Sequence, residues 1–399
     1  MLDSLLKTGA HGITGVGVGT MLVYLLVMTQ LTTLTVTLYL HRGQTHRSVD
    51  FHPALMHWFR FWIWLTTAMI TREWVAVHRK HHAHSDTKQD PHSPQVAGIG
   101  TVLVKGTELY IEARNDEALL TKYGSGTPDD WLERHLYTPH CNWGPTLLAV
   151  ANLLLFGVPG MAIWAVQMMW IPFWGGGVIN GLSHWWGYRN FETADRSTNL
   201  VPWAVWIGGE ELHNNHHAFP GSAKFSIRRH EFDLGWLAIR ILARCGLADV
   251  KRIAAGQTGR LAARVSIASI RQPRQTALAP RVRVMTDFFR KVMLPAVHDE
   301  TRRGHDGRKP SLRLRRALAD GGHWLAADDR RRLNAWLNAR PRLRTLWEFR
   351  AQLAALVEQR GFGVASEELS QWVCAAEVSG IDPLRRFARS LLANAATVH

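Results

Sequence analysis

Residues 13–40, ITGVGVGTMLVYLLVMTQLTTLTVTLYL, carry no charged side chain and run directly into His41-Arg-Gly-Gln-Thr-His46. As a helix the run would extend roughly 42 Å, beyond a hydrocarbon core of about 30 Å. One long span with its last turn projecting from the bilayer is expected, a short hairpin being the alternative. Its end is the first of three histidine clusters, and the fold is read from what surrounds them. The glycines Gly15, Gly17 and Gly19 lie inside this run and lack the G-x-G-x-x-G spacing of a dinucleotide loop.

The second cluster is His78-Arg-Lys-His81-His82 and the third is His213-Asn-Asn-His216-His217. Positions i, i+3 and i+4 share one helical face, so each cluster presents three imidazoles together. His41 and His46 would lie about 140° apart on an uninterrupted α-helix, serving two metals or marking a helix end. The protein has 21 histidines, and 16 of them fall between His41 and His230. Eight clustered imidazoles exceed the needs of one mononuclear site, and imidazole suits iron, zinc, copper or nickel. No H-E-x-x-H occurs, which argues against a zinc peptidase. Redox metal chemistry on an apolar substrate follows, with iron or copper for O₂.

A second apolar block, residues 144–186, holds Gly157, Pro159 and Gly160 at its centre. Two spans joined by that turn, about 144–160 and 161–183, are expected. Residues 51–77 are aromatic but include Arg60, Arg72 and Glu73, so an interfacial or capping helix, or a shallow hairpin, is expected there. With these assignments an even number of crossings separates the clusters, which places all three on one face. The Arg-rich region beyond residue 220 shares that face, and the positive-inside bias makes it cytoplasmic. The net charge of +15 fits the same bias or contact with an acidic partner. Cys141, Cys245 and Cys374 show neither disulfide nor zinc-ribbon spacing, and no cleavable signal is read before the first span.

Over roughly residues 35–250 the chain resembles the membrane fatty-acyl desaturases of the stearoyl-CoA Δ9 type, especially bacterial ones. The likeness runs from Glu73-Trp74 and His78-Arg-Lys-His81-His82 through Ser85-Asp86 and Asp90-Pro91-His92. It continues with Thr127-Pro-Asp-Asp-Trp131, Asn180-Gly-Leu-Ser-His184 and Trp186-Gly-Tyr-Arg189. It ends in Gly209-Glu-Glu-Leu-His213-Asn-Asn-His216-His217-Ala-Phe-Pro220. The resemblance implies an all-α, integral-membrane helical bundle with a cytoplasmic histidine-ligated di-iron cap, to which a small helical C-terminal extension is added. It implies nine histidine ligands, His41, His46, His78, His81, His82, His184, His213, His216 and His217, with Asn180 holding a metal-bound water. It also implies two iron ions and O₂ as co-substrate for cis desaturation, at Δ9 and on acyl-CoA. An acyl-lipid desaturase or a related lipid hydroxylase is the alternative, and a metal-binding transporter the non-enzymatic one.

Outer carboxylates should orient the imidazoles, with Asp86, Asp90, Glu210 and Glu211 as candidates. Among Trp62, Trp64, Trp74, Trp143, Trp185 and Trp186, Trp74 is the channel candidate because it lies one turn before His78. His84 and His92 read as non-ligands, and His52 and His57 as interfacial. CoA-using mammalian-type relatives carry Arg-Asp just before the second cluster, where this chain has Ala76-Val77. Electrons must come from a separate donor, ferredoxin-like with an NAD(P)H reductase, and Lys224, Arg228 and Arg229 could meet its acidic face. The expected organisation is a membrane desaturase domain over 1–250, a basic linker over 251–320 and a helical extension over 321–399. Helical spacing of Leu346, Phe349, Leu353, Leu356 and Val357, and of Leu369, Trp372, Val373 and Ala376, supports the last. No DNA-binding motif accompanies the arginines, so no nucleic-acid partner is expected.

Overall fold

The computed structural model describes residues 9–254, 274–276, 279–303, 311–323, 325–360 and 367–396. It divides into two units, residues 1–190 with 195–277, and residues 191–194 with 278–399.

In the first unit, α1 (Val18–Thr35) continues without a break into a π-helical stretch, Val36–Thr45. Helices α6 (Trp143–Phe156) and α7 (Val158–Ile171) turn back on each other at Gly157, whose φ of 68° suits a residue without Cβ. α7 runs on through a second π-helical stretch, Pro172–Ile179, to a 3₁₀ turn at Leu182–His184. Val18–Thr45 and Val158–His184 are long and apolar enough to cross a bilayer, and Trp143–Phe156 is a shorter apolar helix. A polar chain ties the three together: Tyr24 donates to Asn152 at 2.8 Å, and Asn152 donates to Gln167 at 2.8 Å. Such bonds between apolar helices are worth about 1 kcal/mol each and fix their rotation.

Residues 51–77 form two helices, α2 (Pro53–Thr67) and α3 (Thr71–His84), separated by Ala68 in the left-handed region. The charge that disfavoured a span is resolved by burial with partners. Arg60 makes a two-pronged contact with Asp130 at 2.6 Å and a third with Glu133 at 3.0 Å. Trp62 donates to Thr32 and Trp64 to the His140 carbonyl, fastening α2 to α1 and to the approach of α6. A Cβ on Gly144 would stand 2.0 Å from the Trp64 carbonyl oxygen. Gly144→Ala must therefore push α2 from α6, at a cost of about 1–3 kcal/mol. The check is the thermal midpoint of the purified protein, and an unchanged midpoint would refute this close contact.

Helix α4 (Ile99–Arg114) lies against the Pro172–Ile179 stretch, with a Cβ at Gly106 only 3.0 Å from the Gly176 carbonyl oxygen. Helix α5 (Glu117–Tyr123) packs Leu119 and Leu120 on Ala76 and Val77 of α3. Helix α8 (His213–Ala218) carries the third cluster, and α9 (Leu234–Arg244) follows it. Strands are short: Val49–Phe51 pairs antiparallel with Ala248–Val250, in register Val49 to Val250.

The second unit is helical by itself. Helices Pro280–Phe288, Leu294–Arg303 and Leu312–Asp320 fall inside the stretch read as a linker, of which residues 255–273 and 304–310 lie outside the described residues. Met285, Phe288 and Val297 of these helices, with Val292 and Met293 of the π-helical stretch Phe289–Met293, enter one core with Leu346, Leu353, Leu369, Trp372 and Val373 of the later helices. The extension's fold thus begins near residue 280, because an arginine-rich sequence can still keep one apolar face. Pro341 opens the helix Pro341–Arg360, whereas the Gly361-Phe-Gly363 break lies outside the described residues.

Candidate metal centre

The first histidine pair depends on the π-helical stretch. The His46 amide donates to the His41 carbonyl at 3.1 Å and the Thr45 hydroxyl to the Leu40 carbonyl at 2.9 Å, each across five residues. With i→i+5 bonding, residues five apart fall about one turn above each other. The 140° separation of an ordinary helix is lost, and the two rings approach to 4.9 Å between centroids.

Helices α3 and α8 bring the other clusters to the same place. The nine imidazoles sort into two groups within which the nearest ring nitrogens lie inside 4.8 Å of one another. One holds His41, His46, His78, His82 and His216; the other holds His81, His184, His213 and His217. Each H-x-x-H-H run is therefore split between the groups, His81 leaving its neighbours and His216 leaving its own. Adjacent side chains on a helix point about 100° apart, and the ring planes of His216 and His217 stand 88° apart.

The separations suit a shared cation. His216 Nε2 lies 2.9 Å from His41 Nε2 and 2.9 Å from His82 Nε2, while His82 Nε2 lies 3.1 Å from His78 Nε2. In the second group His184 Nε2 and His213 Nε2 are 3.0 Å apart. Metal–nitrogen bonds of about 2.1 Å at right angles place their nitrogens about 3 Å apart. Hydrogen bonding does not account for this, since one ring nitrogen either donates once or accepts once in its plane. His46 Nε2, His81 Nε2 and His217 Nε2 are buried without a hydrogen-bond partner. Burial holds His46, His78, His82, His213 and His216 well below the usual imidazole pKa, and draws His217 down to about 4. Neutral rings keep the lone pairs that a metal requires.

Carboxylates set the tautomers from behind. Nδ1 meets a carboxylate oxygen in His41 with Glu210 at 2.8 Å, His81 with Asp90 at 3.0 Å, His184 with Asp86 at 2.8 Å and His217 with Asp195 at 2.8 Å. A proton held there leaves Nε2 free to face the group. Glu210 also accepts a very short bond from Thr37, and Asp86, in the left-handed region at φ 61°, accepts from Ser93 and the Arg196 amide. Glu211 reaches no imidazole. Its carboxylate accepts from the Ile207 and Gly209 amides and shapes the loop before α8.

Asp195 is the outer residue that sequence reasoning missed, since it sits in a polar loop without motif. The Asn214-Asn215 pair inside the third cluster is also structural. Asn215 bonds Glu231, Asn199 and the Phe225 carbonyl, and Asn190 joins it to Asn214 and Glu231. Asp195→Ala should lower metal affinity 10- to 100-fold, about the usual effect of removing such a carboxylate. Metal competition with a chelator reads it, and equal retention in both proteins would defeat the role.

A cavity of about 350 Å³ reaches the groups, within the range of small-molecule sites. His41, His78 and His213 enter its wall with Asn180, among apolar residues such as Val36, Met69, Ile171 and Ile207. Trp74 lines it and lies flat on His78, centroids 4.9 Å apart and planes 7° apart. Trp62, Trp64, Trp143, Trp185 and Trp186 are not in the wall. His92 stacks on His81 at 4.5 Å, His84 meets the Tyr123 hydroxyl, His52 caps α2 and His57 is exposed. Of the three basic residues considered for docking, Arg229 is exposed, Arg228 bonds Asn190 and Lys224 is partly buried.

Residues 19–240, more than half of the chain, match the family of fatty acid desaturases. The protein belongs to that family. The desaturase is 31% identical over 228 residues to the sn-1 stearoyl-lipid 9-desaturase of Anabaena variabilis, covering 55% of this chain and 79% of that one. It is 30% identical over 241 residues to Delta-9 acyl-lipid desaturase 1 of Arabidopsis thaliana, covering 57% and 74%. It is 32% identical over 232 residues to the acyl-CoA C20 Delta5-desaturase of Anemone leveillei, covering 54% and 68%. The desaturase also has a second likeness, over residues 280–399, to a transposase family. Among the described residues, no group of histidine, cysteine or acidic side chains close enough to hold a metal falls in that segment.

Proposed function

We propose that the protein is an O₂-dependent desaturase that forms a cis Δ9 double bond in a saturated acyl chain, using two iron ions held by the nine histidines. The convergence of those imidazoles into two groups at the wall of an apolar cavity carries this reading. Bound iron would supply the O₂ chemistry that breaks unactivated C–H bonds. The overall balance is two substrate hydrogens, two donor electrons and two protons joining O₂ as two waters. Asn180, which lines the same cavity as His213, would complete the four-histidine group through a water.

The chain's own task is placement. No side chain serves as base for a methylene hydrogen, which has no acidic proton. Trp74 stiffens His78 by stacking, and the aliphatic wall keeps water from the reacting carbons while holding one C–C pair beside the imidazoles. On carrier, the structure favours a glycerolipid over the acyl-CoA expected from sequence. Ala76 and Val77, where the CoA enzymes' Arg-Asp would stand, are buried against Leu119 and Leu120 and offer no charge to a nucleotide. The Δ9 relatives named above are lipid-acting, which supports both choices. We place the centre on the cytoplasmic face of a bacterial membrane, served by a separate ferredoxin-like donor and its NAD(P)H reductase.

Lipid profiling of expressing cells, with iron analysis of the purified protein, tests the reaction. New Δ9 monounsaturated chains and two irons per chain are expected. Hydroxylated chains without new double bonds would defeat desaturation, and zinc alone in an active preparation would defeat the di-iron site.

A further inference from the structure

The cavity wall contains one buried hydroxyl that nothing in the fold satisfies. Tyr110, in α4, lines the cavity, and its Oη is buried with no hydrogen-bond partner. Leaving a buried donor unmade is costly, and the buried threonine hydroxyls of this wall are all satisfied; its other buried atoms without a partner, Gln167 Nε2, His92 Nε2 and His213 Nδ1, are nitrogens. Thr33, Thr66 and Thr67 donate to carbonyls four residues back, and Thr37 donates to Glu210. Burial pushes the Tyr110 hydroxyl up from its ordinary pKa, so it keeps its proton and stays a donor.

Its position is as informative as its lack of a partner. Arg114, one turn further along the same face of α4, also lines the cavity and pairs with Glu73 at 3.3 Å. Both members of that pair are partly exposed, at 30% and 19%, so this is a rim of the cavity that meets polar surroundings. The Tyr110 ring packs on the cluster of Ala76, Val77, Leu119 and Leu120. Val77 is itself in the cavity wall and immediately precedes His78. The hydroxyl is thus held at a fixed reach from the five-histidine group through one rigid helix.

We propose that the Tyr110 hydroxyl donates a hydrogen bond to the acyl carbonyl of the substrate and so fixes the carbon count from that carbonyl to the metal centre. This rests on reading the cavity as the acyl site. An acyl chain is uniform along its methylenes, so an apolar wall alone lets it slide. A carbonyl acceptor is the one polar feature shared by ester and thioester substrates, and an unpartnered donor at the charged rim is its complement. Tyr110 is then a specificity residue that touches substrate, while the histidines do the chemistry.

The experiment compares ester-linked and ether-linked forms of one saturated glycerolipid in vesicles, with iron-loaded wild type and Tyr110→Phe supplied with O₂ and a reduced ferredoxin, and scores both rate and double-bond position. Wild type should convert the ester at least about tenfold faster than the ether, the order expected for losing one buried donor's partner. Tyr110→Phe, which removes only the oxygen, should lose that preference and give a mixture of neighbouring positional isomers. The same ester preference and single isomer in both proteins would overturn the proposal, as would a wild type indifferent to the carbonyl. An acyl-CoA arm in the same assay identifies the carrier without affecting this comparison. Absence of any double bond with wild type would instead defeat the desaturase reading itself.

Discussion

His216→Ala should abolish desaturation and leave the protein with about one iron in place of two. His216 Nε2 stands 2.9 Å from two other ring nitrogens, so its group cannot reclose around the gap with the remaining histidines in place. The ring is buried completely, which leaves no room for a second water ligand to enter without rearrangement. The four-histidine group shares no nitrogen with it and should keep its ion. Iron per chain, product yield and far-ultraviolet circular dichroism together read the outcome. Normal product with two irons bound would sink the ligand assignment, and loss of helical signal would show an effect on folding.

Asp233→Ala should cost about 3–5 kcal/mol of stability, the range for leaving a buried charge without its partner. Arg42 and Asp233 are both fully buried and meet at 2.9 Å. Arg42 also donates to the Ala223 carbonyl at 2.9 Å and lies 3.8 Å over the Phe225 ring. Phe225 in turn abuts His216, at 4.6 Å between ring centroids. Asp233 accepts further from the Phe225 and Trp236 amides, so its removal strands several donors. Denaturant midpoints in detergent test this, with Arg42→Met/Asp233→Leu as partner. The double variant should recover much of the loss, because well-packed apolar replacements of a buried pair are often tolerated. A single variant within 1 kcal/mol of wild type would refute the role.

Much of this arrangement was legible in the sequence, and the exceptions have physical causes. Two H-x-x-H-H runs announce two helical faces of imidazoles, and Arg60 announces that α2 is no simple span. His184 could be assigned only through the family likeness, since one histidine at the end of an apolar helix has no spacing to betray it. Which of two adjacent glutamates turns inward is equally hidden. Glu210 reaches His41 and Glu211 caps a loop, a choice made by backbone torsions around Gly208 and Gly209 at φ 65° and 108°. Asp195 comes from a segment whose path is set by tertiary contacts alone. The helical unit beginning near residue 280 was hidden by arginines that occupy its outer faces.

The wide-turn stretch Val36–Thr45 has a consequence for anyone who engineers this chain. Common routes to a hardier protein shorten irregular helices or replace helical glycine by alanine, gaining about 1 kcal/mol at permissive sites. Here the irregularity is what lines up two imidazoles, and a Cβ on Gly43 would stand 3.1 Å from the Leu38 carbonyl oxygen and 3.3 Å from Phe51. Deleting one residue between His41 and His46 would favour the tighter helix and turn the downstream ring by about 100°. Such a variant would gain regularity at the cost of turnover, and in a thermal screen that ignored product it would pass for an improvement.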